Sequence, residues 1–230
     1  MIELHAFDDP RVQADALAKA VSAALGASLA AAPATRATLA VSGGTSPRPL
    51  FQALALEPLE WAGIDVTLVD DRWVPETDNA SNARLVRETL LVQAAAAARF
   101  APLVDVSVPL DARIAALNAD PSYALPNVAV LGMGEDGHTA SLFADAPAAE
   151  WAHALQTGDR YVAVHPGAAP HARVSLSMSA LKRIGRLFVL ISGERKLDVL
   201  KAAASAPQEN AISKLANDKG VRLDVYWSAK

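Results

Sequence analysis

Residues 128–143 read Val-Ala-Val-Leu-Gly-Met-Gly-Glu-Asp-Gly-His-Thr-Ala-Ser-Leu-Phe. An apolar run typical of a buried strand is followed by a glycine-rich turn that carries Asp136 and His138. Such a turn can bring backbone N–H groups close to a ligand, and an imidazole beside a carboxylate indicates proton transfer. We therefore expect a strand over 128–131, a functional turn after it and a helix that begins at Thr139.

The glycines of this turn also match the G-x-G-x-x-G pattern of dinucleotide-binding proteins. That fold places an acidic residue at the end of the next strand, ~20 residues on, to hold the ribose. Here the next predicted strand, 161–164, is followed by His165 and Pro166. Glu135 and Asp136 would also put negative charge where a pyrophosphate lies. The sequence therefore favours the catalytic interpretation of the turn.

Composition narrows the class of protein. The 230 residues are 52% hydrophobic, with a mean hydropathy of +0.18 and a net charge of −4. We expect a single domain over 1–230, with no global basic field for nucleic acid or an anionic membrane. The chain has no cysteine, which excludes disulfides and thiol nucleophiles. No signal sequence is recognisable at the start, and the Ala-rich stretches 23–34 and 94–98 look too short to span a bilayer, so a cytoplasmic protein is expected.

Strand and helix patterns alternate along the chain. They predict an α/β protein with a Rossmann-like, mostly parallel sheet and helices on both faces. A long helix follows Asp9, and 99–126 is the least regular region. In open α/β sheets, ligands bind outside the carboxyl ends of the strands. The loops 42–48, 70–82 and 132–141 follow predicted strands, so we expect them to converge.

Two of these loops have ordinary alternatives. The segment 42–46, Ser-Gly-Gly-Thr-Ser, lies between a strand and a helix and suits a phosphate or an oxyanion, but a plain turn with a hydroxyl cap fits equally well. Asp70-Asp71-Arg72 could hold a sugar hydroxyl, set a pKa or form surface ion pairs, and taken alone it favours the ion pairs. Arg173 and Lys196, taken alone, read as solvated charges.

Taken together, these segments resemble the 6-phosphogluconolactonases, within the glucosamine-6-phosphate isomerase/6-phosphogluconolactonase superfamily. The resemblance rests on Ser-Gly-Gly at 42–44, Asp-Asp-Arg at 70–72, the turn at 131–143, and Arg173 followed by Lys196. It implies hydrolysis of 6-phospho-D-glucono-1,5-lactone in the oxidative pentose phosphate pathway, with no metal and no organic cofactor. The implied partner is a small sugar-phosphate lactone, and we expect a monomer or a weak dimer.

The resemblance also implies residue roles. His138 matches the general base that activates water, and three further residues match those around the reacting sugar: Asp136, Asp70 and Arg72. The matches to the glycine loop and the phosphate ligands are Ser42, Gly43, Gly44, Thr45, Arg173 and Lys196. Which aspartate orients His138, and which ring nitrogen acts, stay open.

Three positions depart from the usual family pattern. Asp71 replaces a glutamate, Thr45-Ser46 reverses the usual order, and Ala144 replaces a proline. The related glucosamine-6-phosphate deaminases carry a glutamate five residues after the histidine, where this chain has Phe143. The sequence thus favours the lactonase. A non-enzymatic sugar-phosphate regulator, which would have no need of His138, is a second alternative.

Overall fold

The chain forms ten strands and eight α-helices over residues 1–229, which the computed structural model describes. The strands are β1 (Ile2–Phe7), β2 (Ala37–Val41), β3 (Ile64–Leu68), β4 (Asp70–Arg72), β5 (Arg99–Phe100), β6 (Val128–Leu131), β7 (Tyr161–Val164), β8 (Arg173–Leu176), β9 (Arg186–Ser192) and β10 (Leu223–Ser228). The helices are α1 (Pro10–Ala31), α2 (Arg48–Leu54), α3 (Asn82–Thr89), α4 (Leu110–Ala119), α5 (Ala148–Gln156), α6 (Met178–Lys182), α7 (Glu194–Ser205) and α8 (Ala211–Ala216).

Seven strands form a parallel sheet in the order β1-β10-β9-β6-β2-β3-β5. Every residue of β3 and of β6 is buried. Because successive side chains of a strand point to opposite faces, both faces of the sheet are covered. The predicted α/β class with a mostly parallel sheet is confirmed.

The strand order changes direction between β2 and β6. From β2 the chain builds outward through β3 and β5, and it then returns to the other side of β2 with β6 and continues through β9 and β10. In doubly wound sheets a crevice opens outside the carboxyl ends of the strands at such a switch point. The fold therefore places a ligand crevice beside the loops that follow β2 and β6.

A second, three-stranded antiparallel sheet was not foreseen from the sequence. It has the order β4-β8-β7, so the predicted strands at 161–164 and 173–177 lie outside the parallel sheet. The amide of Leu176 donates to the carbonyl of Val69 at 2.8 Å, which attaches this sheet to the end of β3. The segment 70–72 is consequently a strand rather than the predicted loop.

Helix α1 agrees with the prediction. The carboxylate of Asp9 accepts from the amide of Arg11 at 2.6 Å, and Pro10 is the first helical residue. Leu17, Val21 and Leu25 are fully buried on one face. By length and composition alone α1 could span a membrane, which differs from the expectation based on 23–34. Core helices and signal sequences meet the same criterion, so it is weak evidence for a membrane span.

The predicted helix at Thr139 is wrong. Thr139 and Leu142 form an isolated antiparallel bridge, and Ala140 has a positive φ of 49°. The Thr139 hydroxyl donates to the carbonyl of Gly132 at 2.8 Å, which folds the segment back on the turn. A left-handed residue cannot continue an α-helix, so the next helix, α5, begins only at Ala148.

Two further regions differ from the sequence expectation. The edge strand β1 was missed because its exposed residues, Glu3, Leu4 and Ala6, mix polar and apolar types and do not alternate with the partly buried ones. The irregular region 99–126 holds β5, α4 and a 3-10 turn, Pro121–Tyr123. Each of these elements is short, which explains why periodicity did not reveal them.

We expect Leu25→Ala in α1 to lower the free energy of unfolding by about 2–5 kcal/mol, because the side chain is fully buried and its removal leaves a cavity. Urea unfolding followed by circular dichroism measures the change. Leu56→Ala is the matched control, since Leu56 is 69% exposed, and its effect should stay within about 0.5 kcal/mol. Equal losses in both variants would contradict the burial argument.

Candidate active site

A cavity of about 280 Å³ lies at the carboxyl ends of β2 and β6. The three loops expected to converge meet there, as their positions after neighbouring strands predicted. Nine of the ten candidate residues line the cavity: Ser42, Gly43, Gly44, Thr45, Asp70, Arg72, His138, Arg173 and Lys196. The tenth, Asp136, is not part of the cavity wall and reaches it through His138.

Ser42 joins the two strands that flank the crevice. Its hydroxyl donates to the carbonyl of Val130 at 2.9 Å and accepts from the amide of Gly132 at 2.9 Å. Its own amide also donates to Val130, at 3.0 Å. Because the hydroxyl is occupied on both sides, Ser42 fixes the geometry of the cavity floor.

Gly43 has no room for a side chain. A Cβ at this position would lie 1.8 Å from the side-chain oxygen of Asn82. The loop after β2 therefore packs directly on the first residue of α3. Gly44, with a φ of +94°, then turns the backbone in a conformation that L-residues rarely adopt.

The turn at 134–138 closes on itself. The amide of Gly134 donates to the carbonyl of His138 at 3.0 Å, and the amide of Gly137 donates to that of Gly134 at 3.1 Å. A Cβ on Gly134 would lie 2.3 Å from the imidazole. The missing side chain leaves the space in which the imidazole of His138 and the carboxylate of Asp136 lie.

The imidazole of His138 is held on two sides. Its Nδ1 lies 2.6 Å from Oδ1 of Asp136, and its ring packs on Phe143 with centroids 4.2 Å apart. The hydrogen bond from the ring holds the pKa of Asp136 below its ordinary value. With Nδ1 engaged by an ionised carboxylate, Nε2 is the nitrogen left for a ligand.

Asp70 and Arg72 project from β4. The hydroxyl of Ser141 donates to Oδ2 of Asp70, which is buried apart from its edge on the cavity. Arg72 donates through Nη1 to the carbonyl of Ala80 at 2.7 Å, whereas its buried Nε has no partner among residues 1–229. A buried N–H donor without a partner is costly unless a ligand satisfies it.

Arg173 and Lys196 supply the other cationic groups of the wall. Arg173 donates to the carbonyls of Pro170 and His171 at 3.1 and 3.4 Å, and its guanidinium lies 5.6 Å from the ring centroid of Phe143. Burial lowers the pKa of this guanidinium from its ordinary value. Lys196 lies in the first turn of α7, and over residues 1–229 its ammonium makes no hydrogen bond or ion pair.

Sequence reasoning missed several cavity residues. Asn82 lines the cavity and donates through Nδ2 to the carbonyl of Asp70 at 2.9 Å. The Ser81-Asn82 pair that follows the 70–72 motif also resembles the family, but Asn82 was not counted among the site residues. Apolar side chains complete the wall, namely Met133, Ala140 and Leu190. Because they resemble core residues, nothing in the sequence distinguishes them.

One group of carboxylate and imidazole ligands in residues 1–229 has spacing suited to a metal ion: Glu3, His5 and Asp224. It lies at the amino end of β10, the opposite end of the sheet from the cavity. Both oxygens of Asp224 already accept from arginines, Arg222 at 3.0 Å and Arg186 at 2.8 Å. This pairing leaves the carboxylate poorly suited to bind a cation.

Comparison with known proteins agrees with this architecture. The model of the family described as glucosamine-6-phosphate isomerases/6-phosphogluconolactonase matches residues 8–224. A Neisseria meningitidis serogroup A protein named 6-phosphogluconolactonase is 38% identical, with 99% of this chain and 100% of that protein covered.

Two solved structures are also similar over nearly their whole length. A Neisseria gonorrhoeae protein superimposes with a TM-score of 0.93 at 38% identity, covering 99% of this chain and 100% of that one. A 6-phosphogluconolactonase from Shewanella baltica superimposes with a TM-score of 0.90 at 35% identity, covering 100% and 98%. The resemblance inferred from the motifs is thereby confirmed, and the chain belongs to the glucosamine-6-phosphate isomerase/6-phosphogluconolactonase family.

Proposed function

We propose that this chain is a 6-phosphogluconolactonase, which hydrolyses 6-phospho-D-glucono-1,5-lactone to 6-phospho-D-gluconate in the oxidative pentose phosphate pathway. The relatives that carry this name, at 38% identity over nearly the full chain, support the reaction. The observation that carries the mechanism is the 2.6 Å contact between Nδ1 of His138 and Asp136 at the edge of a cavity that also holds three cationic side chains.

His138 acts as the general base. Asp136 accepts from Nδ1–H, which fixes the tautomer with a free lone pair on Nε2. Nε2 takes a proton from water while the resulting hydroxide adds to the lactone carbonyl carbon. A lactone carbon is already activated, so the ~10²–10⁴-fold that a positioned base contributes is a useful share of the acceleration.

Arg72 and the glycine loop stabilise the charge that develops. Arg72 lines the cavity, which suits its guanidinium to donate to the carbonyl oxygen as that oxygen becomes anionic. Amides of the Gly43-Gly44 loop line the same cavity. When the tetrahedral intermediate collapses, the C–O bond to the ring oxygen breaks and the His138 imidazolium returns its proton to that oxygen. The new carboxylic acid then loses a proton to solvent.

Arg173 and Lys196 hold the phosphate. Both are cationic and line the cavity, and Lys196 has no competing protein partner in the described chain. Asp70, held by Ser141, accepts from a sugar hydroxyl. Because the phosphate lies remote from the bond that breaks, these cations contribute mainly to binding.

Phe143 favours the lactonase over an aldose–ketose isomerase. Ring opening and proton shuttling along a sugar chain need an additional acid or base near the histidine. The side chain at this position is an aromatic ring packed on His138, and it offers no proton. Hydrolysis of a lactone needs only one base that later acts as an acid.

The purified protein should hydrolyse 6-phosphogluconolactone above the spontaneous rate and should not release ammonia from glucosamine 6-phosphate. A coupled assay with 6-phosphogluconate dehydrogenase, corrected for spontaneous hydrolysis, measures the first reaction. Pre-incubation with a chelator should leave the rate unchanged, because the proposed steps use only side chains and water. Turnover of glucosamine 6-phosphate, or binding without turnover of either compound, would contradict the proposal.

His138→Ala should lower kcat by about 10²–10⁴-fold with little change in KM, since the base acts in the transition state and not in ground-state binding. Steady-state kinetics on the lactone measure both constants. His153→Ala is the matched control, because His153 is an exposed histidine of α5. Near wild-type turnover in His138→Ala would rule out the mechanism.

Arg173→Ala and Lys196→Ala should mainly raise KM. A lost charge-assisted hydrogen bond corresponds to about 1.5–3 kcal/mol, or roughly a tenfold to hundredfold change. Lys201→Ala, an exposed lysine on the same helix as Lys196, provides the control and should leave both constants unchanged. A fall in kcat at unchanged KM would show instead that these cations act on the reacting carbonyl.

A further inference from the structure

Asp71 is a buried carboxylate that the proposed chemistry does not use. Only 1% of it is exposed, and it lies behind the cavity wall between β4 and α3. Its Oδ1 accepts from the amides of Arg72 at 2.8 Å and Asn82 at 2.7 Å. Its Oδ2 accepts from the amide of Ala83 at 3.1 Å and faces the hydroxyl of Ser81 at 3.5 Å.

These bonds close the loop 73–81 at its base. One carboxylate joins the amide at the end of β4 to the first two amides of α3, which satisfies N–H groups that a helix start leaves free. Ser81 caps the same helix by accepting from the amide of Arg84 at 3.2 Å. The position of α3 relative to β4 therefore depends on Asp71.

Two cavity residues are placed by this junction. Asn82 donates to the carbonyl of Asp70 and packs against Gly43, so a shift of α3 would move both the start of β4 and the glycine loop. Arg72 donates to the carbonyl of Ala80, which lies inside the loop that Asp71 closes. Asp71 is therefore linked to the cavity wall through Asn82 and Arg72.

Charged neighbours surround Asp71 on each side. Asp70 and Arg72 flank it on β4, and Arg173 lies on the paired strand β8. From α3 it meets the partial positive charge of the helix N-terminus. Burial outweighs the hydrogen bonds and raises the pKa of Asp71 to about 6.

We propose that Asp71 is a positioning residue for the reaction: its ionised carboxylate holds the start of α3 against β4 and so keeps Asn82 and Arg72 in place at the cavity. This inference rests on the proposed lactonase function. A proton on Oδ2 would face the amide of Ala83, which is itself a donor, so that bond would be lost. The acid form consequently loosens the junction.

The test compares kcat/KM with thermal unfolding across pH in the wild type and in Asp71→Asn. The amide keeps the size of the side chain but presents a donor where Ala83 or Asn82 donates. We expect kcat/KM of the variant to fall at least about tenfold at neutral pH, since small displacements of catalytic groups are costly. The acid limb of its pH profile, that is, the fall of kcat/KM at low pH, should also reflect one titrating group fewer than in the wild type.

Thermal unfolding gives a second readout, and it is the opposite pH trends of stability and kcat/KM together that a merely structural residue would not produce. Because burial disfavours the charged carboxylate more than its hydrogen bonds favour it, the pKa of Asp71 is raised and protonation stabilises the fold as a whole, even though it costs the local bond to Ala83. That contribution is present at low pH and is lost as pH rises through about 6. The Asp71 contribution to stability should therefore fall between its ordinary pKa of 3.8 and its folded-state pKa of about 6, kcat/KM should rise as pH passes through about 6, and Asp71→Asn should lack both trends.

Asp65→Asn is the matched control. Asp65 is also buried, but it pairs with Arg36 and Arg99 near the amino end of β3, away from the cavity. This variant should lose stability and keep the wild-type acid limb. A normal kcat/KM and acid limb in Asp71→Asn, or equal effects in the two variants, would overturn the inference while leaving lactone hydrolysis intact.

Two remaining outcomes are also decisive. If Asp71→Asn does not fold, a wild-type acid limb that titrates a single group overturns the inference, and one that titrates two groups supports it. If the wild type does not hydrolyse the lactone, the proposed function fails and the role of Asp71 in that reaction fails with it.

Discussion

The hydrogen bonds of Ser42 across the switch point are the constraint on which the site depends. Parallel strands diverge where their connections leave in opposite directions, and β2 and β6 are such a pair. The Ser42 hydroxyl and amide hold the two carboxyl ends together through Val130 and Gly132. Without that junction the glycine loop after β2 and the histidine turn after β6 would have no fixed separation.

The separation of the two loops is fixed by Ser42, and the glycine turn then fixes the orientation of the His138 imidazole. Asp136 and His138 are only two residues apart, so their pairing needs no long-range contact beyond the turn itself. Support from outside comes through the amide of Ile212, which donates to the carbonyl of Gly137 at 3.0 Å. The site thus combines a local acid–base pair with a frame of contacts that are remote in sequence.

The difference between local contacts and contacts remote in sequence explains what the sequence could predict. The sheet class, the converging loops and the Asp136–His138 turn are encoded by local pattern, because strand periodicity and glycine spacing act over a few residues. The Asp70–Ser141 contact spans 71 positions, and the pairing of β4 with β8, which joins Asp70 to Ser175, spans more still. A three-residue polar strand carries no periodic signal, so the second sheet and the roles of Asn82 and Asp71 emerge only from tertiary packing.

The second sheet also accounts for how the cavity tolerates its charges. Asp70 and Asp71 are adjacent and both buried, an arrangement that is unfavourable in a hydrophobic core. Strand alternation points them in opposite directions, so Asp70 faces Ser141 and the cavity while Asp71 faces the N–H groups of α3. Arg173, brought alongside by the antiparallel register, lies opposite Arg72 and near both carboxylates. Two carboxylates and two guanidiniums on neighbouring short strands therefore balance locally, which leaves Lys196 as the cation that an incoming anion meets without a protein competitor in the described chain.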